Sequence, residues 1–356
     1  MRRLDSERLN LQVVLRRVAR DARPPGPLLR AIGDVWVWLL VRGHLRRTSE
    51  LWRQIESLPQ DGLRTERDLM ARSWLMACGL VNDGDHAGAR ALIDEILPAA
   101  RRLEKPSRTA LLLMGRAIAR PYAAHSPAHT DFQQALTLAR EAGDPLVVGY
   151  ILSHYGCLLC IDGDAGRARE LHEEMLTIAS SLPDENMRAE AHYDLAMDAI
   201  SADDPRTAEL HLAVAVRRYR DIDQLDGLAG RCLGALSALA LNRGQAHLAA
   251  QLIGTAAGAR ASIGLMPSPT VTEAERRITE RTQALLPGDE FTAQVTAGRG
   301  QTIEDALARS LCHGKAGATG DPAGQPFPTA RQRRRGADRI RGCRESGICF
   351  HPSLDE

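Results

Sequence analysis

Aromatic residues make up only 4% of this 356-residue chain, and lysine is nearly missing, with Lys105 and Lys315 the two present. A core so poor in rings must be built from Ala, Leu, Ile and Val, whose small side chains suit tight helix packing and leave little room for a large apolar pocket. Arginine carries almost all the positive charge, which reads as the codon usage of a GC-rich genome. The net charge is +1, so the chain as a whole offers no strong field to nucleic acid or to a membrane. Long apolar runs are absent as well. The longest, Val35 to Val41, falls far short of the roughly 20 residues that span a bilayer. The opening MRRLDSERLN lacks the apolar centre of a signal peptide.

Catalytic signatures are missing too. No G-x-x-x-x-G-K-[ST] phosphate loop occurs, no G-x-G-x-x-G follows a strand, and neither H-E-x-x-H nor G-x-S-x-G is found. No catalytic, cofactor-binding or metal residues are therefore assigned, and no cofactor is expected. Period-two alternation long enough for a strand is also lacking. With hydrophobic residues at 44% and charged ones at 26%, what remains is a globular all-α chain.

What is present is a repeat. An Ala follows five residues after a Gly or Asp turn in four places: Ala89 after Gly84, Ala168 after Gly163, Ala208 after Asp203 and Ala249 after Gly244. Twelve residues before each stands another small residue, namely Ala77, Gly156, Ala196 and Ser237, preceded by the larger Met76, Tyr155, Leu195 and Leu236. Small residues at both places let two antiparallel helices approach closely, while the larger one fills the seam beside them. The last three units follow at about forty residues, and a diverged unit around Ala135 fills the double gap before them. The expected fold is all-α, a tetratricopeptide-like α-solenoid of antiparallel helix pairs.

Helical signals run from Leu4 to Leu311, punctuated by Gly84, Pro106, Pro127, Gly143-Asp144-Pro145, Gly163, Pro183, Pro205, Gly227 and Gly244. Residues 1–264 form the repeats. Met266-Pro267-Ser268-Pro269 is a stiff link into a helical cap over 265–311, with helices near 271–286, 288–297 and 301–311. Residues 312–328 read as a flexible linker, and 329–356 as a basic, disordered tail.

Several residues bear on a possible site. Cys157-Leu-Leu-Cys160 has redox-like spacing but lies inside an apolar helical run, so buried structural thiols are expected. The seven cysteines, an odd number, suggest reduced thiols and a cytoplasmic chain. Glu173-Glu174 reads as a solvated pair. His125 and His129 flank Pro127 in a turn rather than forming a metal pair. Cys312, His313, Cys343, Cys349 and His351 lack a paired zinc knuckle. Arg331, Arg333, Arg334 and Arg335 lead a basic cluster that offers weak nucleic-acid contact, without aromatics for stacking.

Particular residues then bring a family into view. Leu4-Asp5-Ser6-Glu7-Arg8-Leu9-Asn10-Leu11 resembles the "L-D-x-E-x-x-N-L" opening of the helical domain in large ATP-binding transcriptional regulators of the LuxR and antibiotic-regulator types in actinobacteria. Trp36 and Trp38, then Arg42-Gly43-His44, look like its next element. Leu252-Ile253-Gly254-Thr255-Ala256-Ala257, Ile263-Gly264 and Pro267 resemble its terminal "L-L-G-A-A-x-A…G-x-x-x-x-P" segment. Phe291, Gly298 and Ile303-Glu304-Asp305-Ala306 look like its closing pattern, with Val295 where the family usually has Trp. The likeness covers residues 4–311. Thr329, Arg331, Gln332, Gly342, Ile348 and Leu354 are similar to the start of a LuxR-type helix-turn-helix, although Arg335, Gly336 and Pro352 stand where core apolar residues belong.

The resemblance implies a sensor or oligomerisation arm. The chain is expected to hold that arm without the neighbouring ATPase module and to stop before a recognition helix. The expected function is a non-catalytic protein-interaction scaffold, a truncated regulator fragment. It would bind a protein partner or an unknown effector, with self-association as a further possibility and no membrane. DNA is contacted in the intact family and weakly at best here. The rival reading is a DNA-binding regulator that works through the basic tail.

Overall fold

The structure is a computed structural model. It describes residues 84–103, 106–120, 126–222, 227–263 and 269–312, with single positions 29, 30, 74, 77, 78, 80 and 81. Apart from residues 29 and 30, the helices expected over 4–43 lie outside the described residues, as do the centre of the stiff link and the Arg331 to Arg335 cluster. The chain divides into two units, 1–311 and 312–356, and the described helices lie in the first, the final residue Cys312 excepted.

Among the described residues every regular element is helical and none is a strand. The order is α1 (His86–Leu103), α2 (Pro106–Ile118), α3 (Ala128–Glu141), α4 (Pro145–Asp162), α5 (Ala165–Ser181), α6 (Glu185–Ser201) and α7 (Pro205–Asp221). A π-helical turn (Leu228–Cys232) then leads into α8 (Leu233–Asn242), α9 (Ala246–Ile263), α10 (Pro269–Gln283), α11 (Gly288–Arg299) and α12 (Ile303–Cys312).

One turn recurs and explains the punctuation. Gly84, Gly143, Gly163, Asp203 and Gly244 all have positive φ. At Gly163 the amide donates to the Cys160 carbonyl and the next amide, of Asp164, reaches back to the Leu159 carbonyl. The same pair of bonds closes the helices at the other four positions, and each is a Schellman ending. At four of these five turns the next residue caps the following helix. Asp144, Asp164 and Asp204 accept from the amides of Val147, Arg167 and Thr207, and Asp85 accepts from Gly88. Asp203 takes the glycine conformation at φ 55, a region in which Asp is among the better-tolerated residues. A single left-handed residue thus ends one helix while its neighbour starts the next.

Each helix from α1 to α7 packs on the next one, and α2, α4, α6 and α8 also touch in series. The core follows the chain as two large clusters, one running from α1 to α6 and the other from α6 to α12. Ala77, Ala89, Ala168, Ala196, Ala208, Ser237 and Ala249 are at most 1% exposed, and Gly156 is buried. In the last pair Ser237 Oγ donates to the Ala249 carbonyl at 3.0 Å, so the two small positions touch directly. Ala135, on α3, is 0% exposed.

Some boundaries differ from expectation. Gly227 does not break a helix: its backbone is right-handed helical and opens the π turn. Its missing Cβ leaves room for the Tyr219 ring, which any side chain would meet. The closing helices α10 to α12 start at 269, 288 and 303. Pro269 begins α10 rather than ending a link, as suits a residue with no amide hydrogen to satisfy.

Candidate functional site

Helix α4 is apolar almost all round, and among the described residues it alone is long and apolar enough to cross a membrane by length and composition. Yet 61% of it is buried inside the protein, against α2, α3, α5 and α6. One side of it carries Tyr150, Ser153, Cys157 and Cys160, spaced three or four apart as a helix face requires. Helix α6 carries the matching stripe. Asn186, Glu190, Asp194 and Asp198 recur every four residues and are all less than 9% exposed.

The two stripes meet along their length. The Ser153 hydroxyl donates to Asp194 Oδ2 at 2.6 Å, and Cys157 Sγ lies 4.0 Å from Asp194 Oδ1. Cys160 Sγ donates to Asp198 Oδ1 at 3.2 Å. The Asn186 amide reaches both the Tyr150 hydroxyl and Glu190 at 3.5 Å. Buried polar groups need such partners, because each one left unmatched costs about 1–3 kcal/mol.

His172, from α5, inserts between the stripes and is 1% exposed. Its Nδ1 is 2.7 Å from Asp198 Oδ2, and its Nε2 is 3.3 Å from the Ser153 carbonyl. The ring fits because residue 156 is glycine: a Cβ there would overlap His172 Nε2. The missing side chain at Gly156 is therefore what admits the imidazole.

The far end of the stripe holds a partly buried ion pair. Arg231, on the π turn, reaches Glu190 at 2.7 Å and lies over the Tyr193 ring at 5.4 Å. Single π turns often mark functional positions, and this one aims the guanidinium into the cluster. The Tyr219 hydroxyl is buried nearby with no hydrogen-bond partner.

Electrostatics decide what the cluster can do. Burial pushes the Cys157 thiol up, and the Asp194 charge pushes it further, against a hydrogen bond from His172. Burial alone would lower His172, but the Asp194 charge and the Asp198 hydrogen bond outweigh it and hold the imidazole well above its usual range. Burial raises Asp194, opposed by His172 and Arg231. Glu190 is pushed up to about 7 by burial, against Arg231 and with Asp194 and Asp184. His154 falls to about 3 through burial and the Arg231 charge. Cys157, His172 and Asp198 thus stand in the order of a thiol–imidazole–carboxylate nucleophile with the wrong poise. The thiol keeps its proton and the imidazole already carries one, so proton abstraction from sulfur is disfavoured. As ligand atoms, by contrast, a thiol, an imidazole and a carboxylate converge here from three helices.

The other residues singled out from sequence fall elsewhere. Glu173 pairs with Arg169 and Glu174 with Arg140, both on the surface. His129 pairs with Asp162, while His125 lies outside the described residues, as do the tail residues His313, Cys343, Cys349 and His351. Cys78 and Cys232 are buried thiols. Cys157 and Cys160 are not surrounded by apolar groups alone, since each faces a carboxylate. Sequence reasoning missed His172, Asp194 and Asp198. The available signal was the pair of polar stripes, Tyr150-Ser153-Cys157-Cys160 and Asn186-Glu190-Asp194-Asp198, each on one helical face.

Compared with protein-family models and with curated proteins, the chain matches none of either.

Proposed function

We propose that this chain is a non-catalytic interaction and sensor scaffold, the helical-repeat arm of an ATP-binding regulator of the LuxR type. The observation that carries the reading is the turn repeated at Gly84, Gly143, Gly163, Asp203 and Gly244, together with the serial contact of α2, α4, α6 and α8. Tetratricopeptide-like pairs stack in this manner, each repeat packing on its neighbours and alternate helices building one continuous face. The chain works in the cytoplasm, binds no nucleotide of its own and relays occupancy to an ATPase partner or to a second copy of itself.

The test is calorimetry of the full chain with the isolated ATPase module of a regulator of this type, with ATP turnover measured in parallel. Saturable binding that changes the module's turnover, with none by the chain alone, supports the proposal. Hydrolysis by the chain alone, or no binding to the module, contradicts it. Sequence-selective binding to duplex DNA at physiological salt would favour the rival reading through Arg331, Arg333, Arg334 and Arg335.

A further inference from the structure

We propose that Cys157, His172 and Asp194 form a binding site for a zinc-type divalent metal. One ligand atom from each lies within 4.8 Å of the others, and the three come from consecutive helices, α4, α5 and α6. Bonds of about 2.0–2.3 Å in a tetrahedral site place ligand atoms roughly 3.5 Å apart. Closing from the present spacing takes about 1 Å, within the reach of small side-chain rotations.

The surroundings are arranged as a metal site requires. His172 Nδ1 is engaged by Asp198 at 2.7 Å, which fixes the ring and makes Nε2, now 3.3 Å from the Ser153 carbonyl, the nitrogen that would exchange that contact for the metal. A carboxylate on the second nitrogen is the usual support of a metal-bound histidine. Asp194 is oriented the same way. Ser153 takes its Oδ2 at 2.6 Å, and the other oxygen, Oδ1, is the one that faces Cys157 Sγ. Gly156 keeps the space that the imidazole fills.

Donor chemistry narrows the ion. A thiolate and an imidazole select zinc and its neighbours over magnesium or calcium, which prefer oxygen alone. One thiolate and one carboxylate neutralise a dication, so the three ligands and the ion together carry no net charge once two protons, one from Cys157 and one from His172 Nε2, have left to solvent. Water takes the fourth position. Cys160 stays on Asp198, outside the three proposed ligands. Occupancy ties α4, α5 and α6 together and raises their stability by linkage. Metal binding here does not depend on the chain contacting an ATPase module.

Cobalt(II) is the probe, added to the full chain freed of metal by a chelator. The expected result is one equivalent bound, with the intense visible bands of tetrahedral coordination and a thiolate-to-cobalt charge-transfer band that zinc abolishes. C157S loses the charge-transfer band. D198N keeps the spectrum but weakens binding about 10–100-fold. C160S keeps both stoichiometry and spectrum. Circular dichroism confirms that each variant is folded, and D194N, which retains an acceptor for Ser153, replaces any that is not. Absence of cobalt binding by the full chain, or a charge-transfer band that survives C157S, overturns the proposal.

Discussion

Two close helix contacts in this molecule use glycine for different ends. Between α4 and α5, Gly156 faces a side chain, the His172 ring. In the C-terminal part, Gly254 and Gly258 on α9 face the backbone of α11, and Gly298 on α11 faces the Gln251 carbonyl on α9. Thr255 seals that second contact by donating to the Gly298 carbonyl at 3.0 Å, and Gln251 donates to Gln294 at 2.6 Å. The first glycine makes room for a functional group. The others let two main chains touch. A ring can shift and a carbonyl inside a helix cannot, so the same substitution should cost different amounts in the two places.

The largest effect is expected in the backbone contact. Gly254→Ala or Gly298→Ala forces a methyl group into a carbonyl oxygen and should lower stability by about 3 kcal/mol or more, read by denaturant unfolding. Gly156→Ala should cost less, about 1–3 kcal/mol, because His172 can move aside. Ala196→Leu, at the equivalent small position of the next repeat, belongs in the same range. Values for Gly156→Ala equal to those for Gly254→Ala would erase the distinction.

The pH dependence of Glu190 is the next effect in size. In the folded protein its carboxyl is raised to about 7 from the ordinary 4.5. The folded protein therefore keeps this proton longer than the unfolded chain does. The stabilisation is full below about 4.5 and is lost as pH rises through about 7. The groups around it are Arg231 on the π turn, Tyr150 on α4, Tyr219 on α7, and Asp184, Asn186 and Asp194 at or along α6. Glu190→Gln should remove that loss, so the melting-point gap between variant and parent shifts in the variant's favour from about pH 5 to about pH 8. A constant gap across this range would contradict the assignment.

Smaller still is the relief of strain at Asp203, where the turn lacks glycine. Asp203→Gly should stabilise by up to about 1 kcal/mol, whereas Gly163→Ala at the equivalent place should destabilise by about as much. Glu173→Ala, on an exposed pair with Arg169, should change stability by less than about 0.5 kcal/mol.

The all-helical fold was legible because its signals are local. A left-handed position wants Gly or Asp, the cap after it wants Asp, and both leave marks at fixed spacing. The small residues of the seam showed for the same reason, since a close helix approach admits few side chains. The buried cluster was harder to see. Cys157 and Cys160 look inert within their own helix, and their character depends on Asp194 and Asp198, which lie about forty residues away in sequence. His172 follows Ala168 by one helical turn and reads as an ordinary surface position until Gly156 is seen to admit its ring. Gly254 and Gly298 stand out in the sequence only through a family resemblance, because backbone contact between α9 and α11 leaves no periodic trace. Gly227 misled because glycine permits a close approach as readily as it ends a helix.

A double-mutant cycle tests the central claim, that each glycine is set by what it faces. Unfolding free energies are measured in chelator for Gly156→Ala, His172→Ala and their combination, alongside Gly254→Ala, Val295→Ala and theirs. Trimming the ring should rescue much of the Gly156→Ala loss, with a coupling of about 1–3 kcal/mol. Trimming Val295 should leave the Gly254→Ala loss unchanged, since the obstruction is the Val295 carbonyl rather than its side chain. Additive effects in the first cycle, or rescue in the second, would contradict the account.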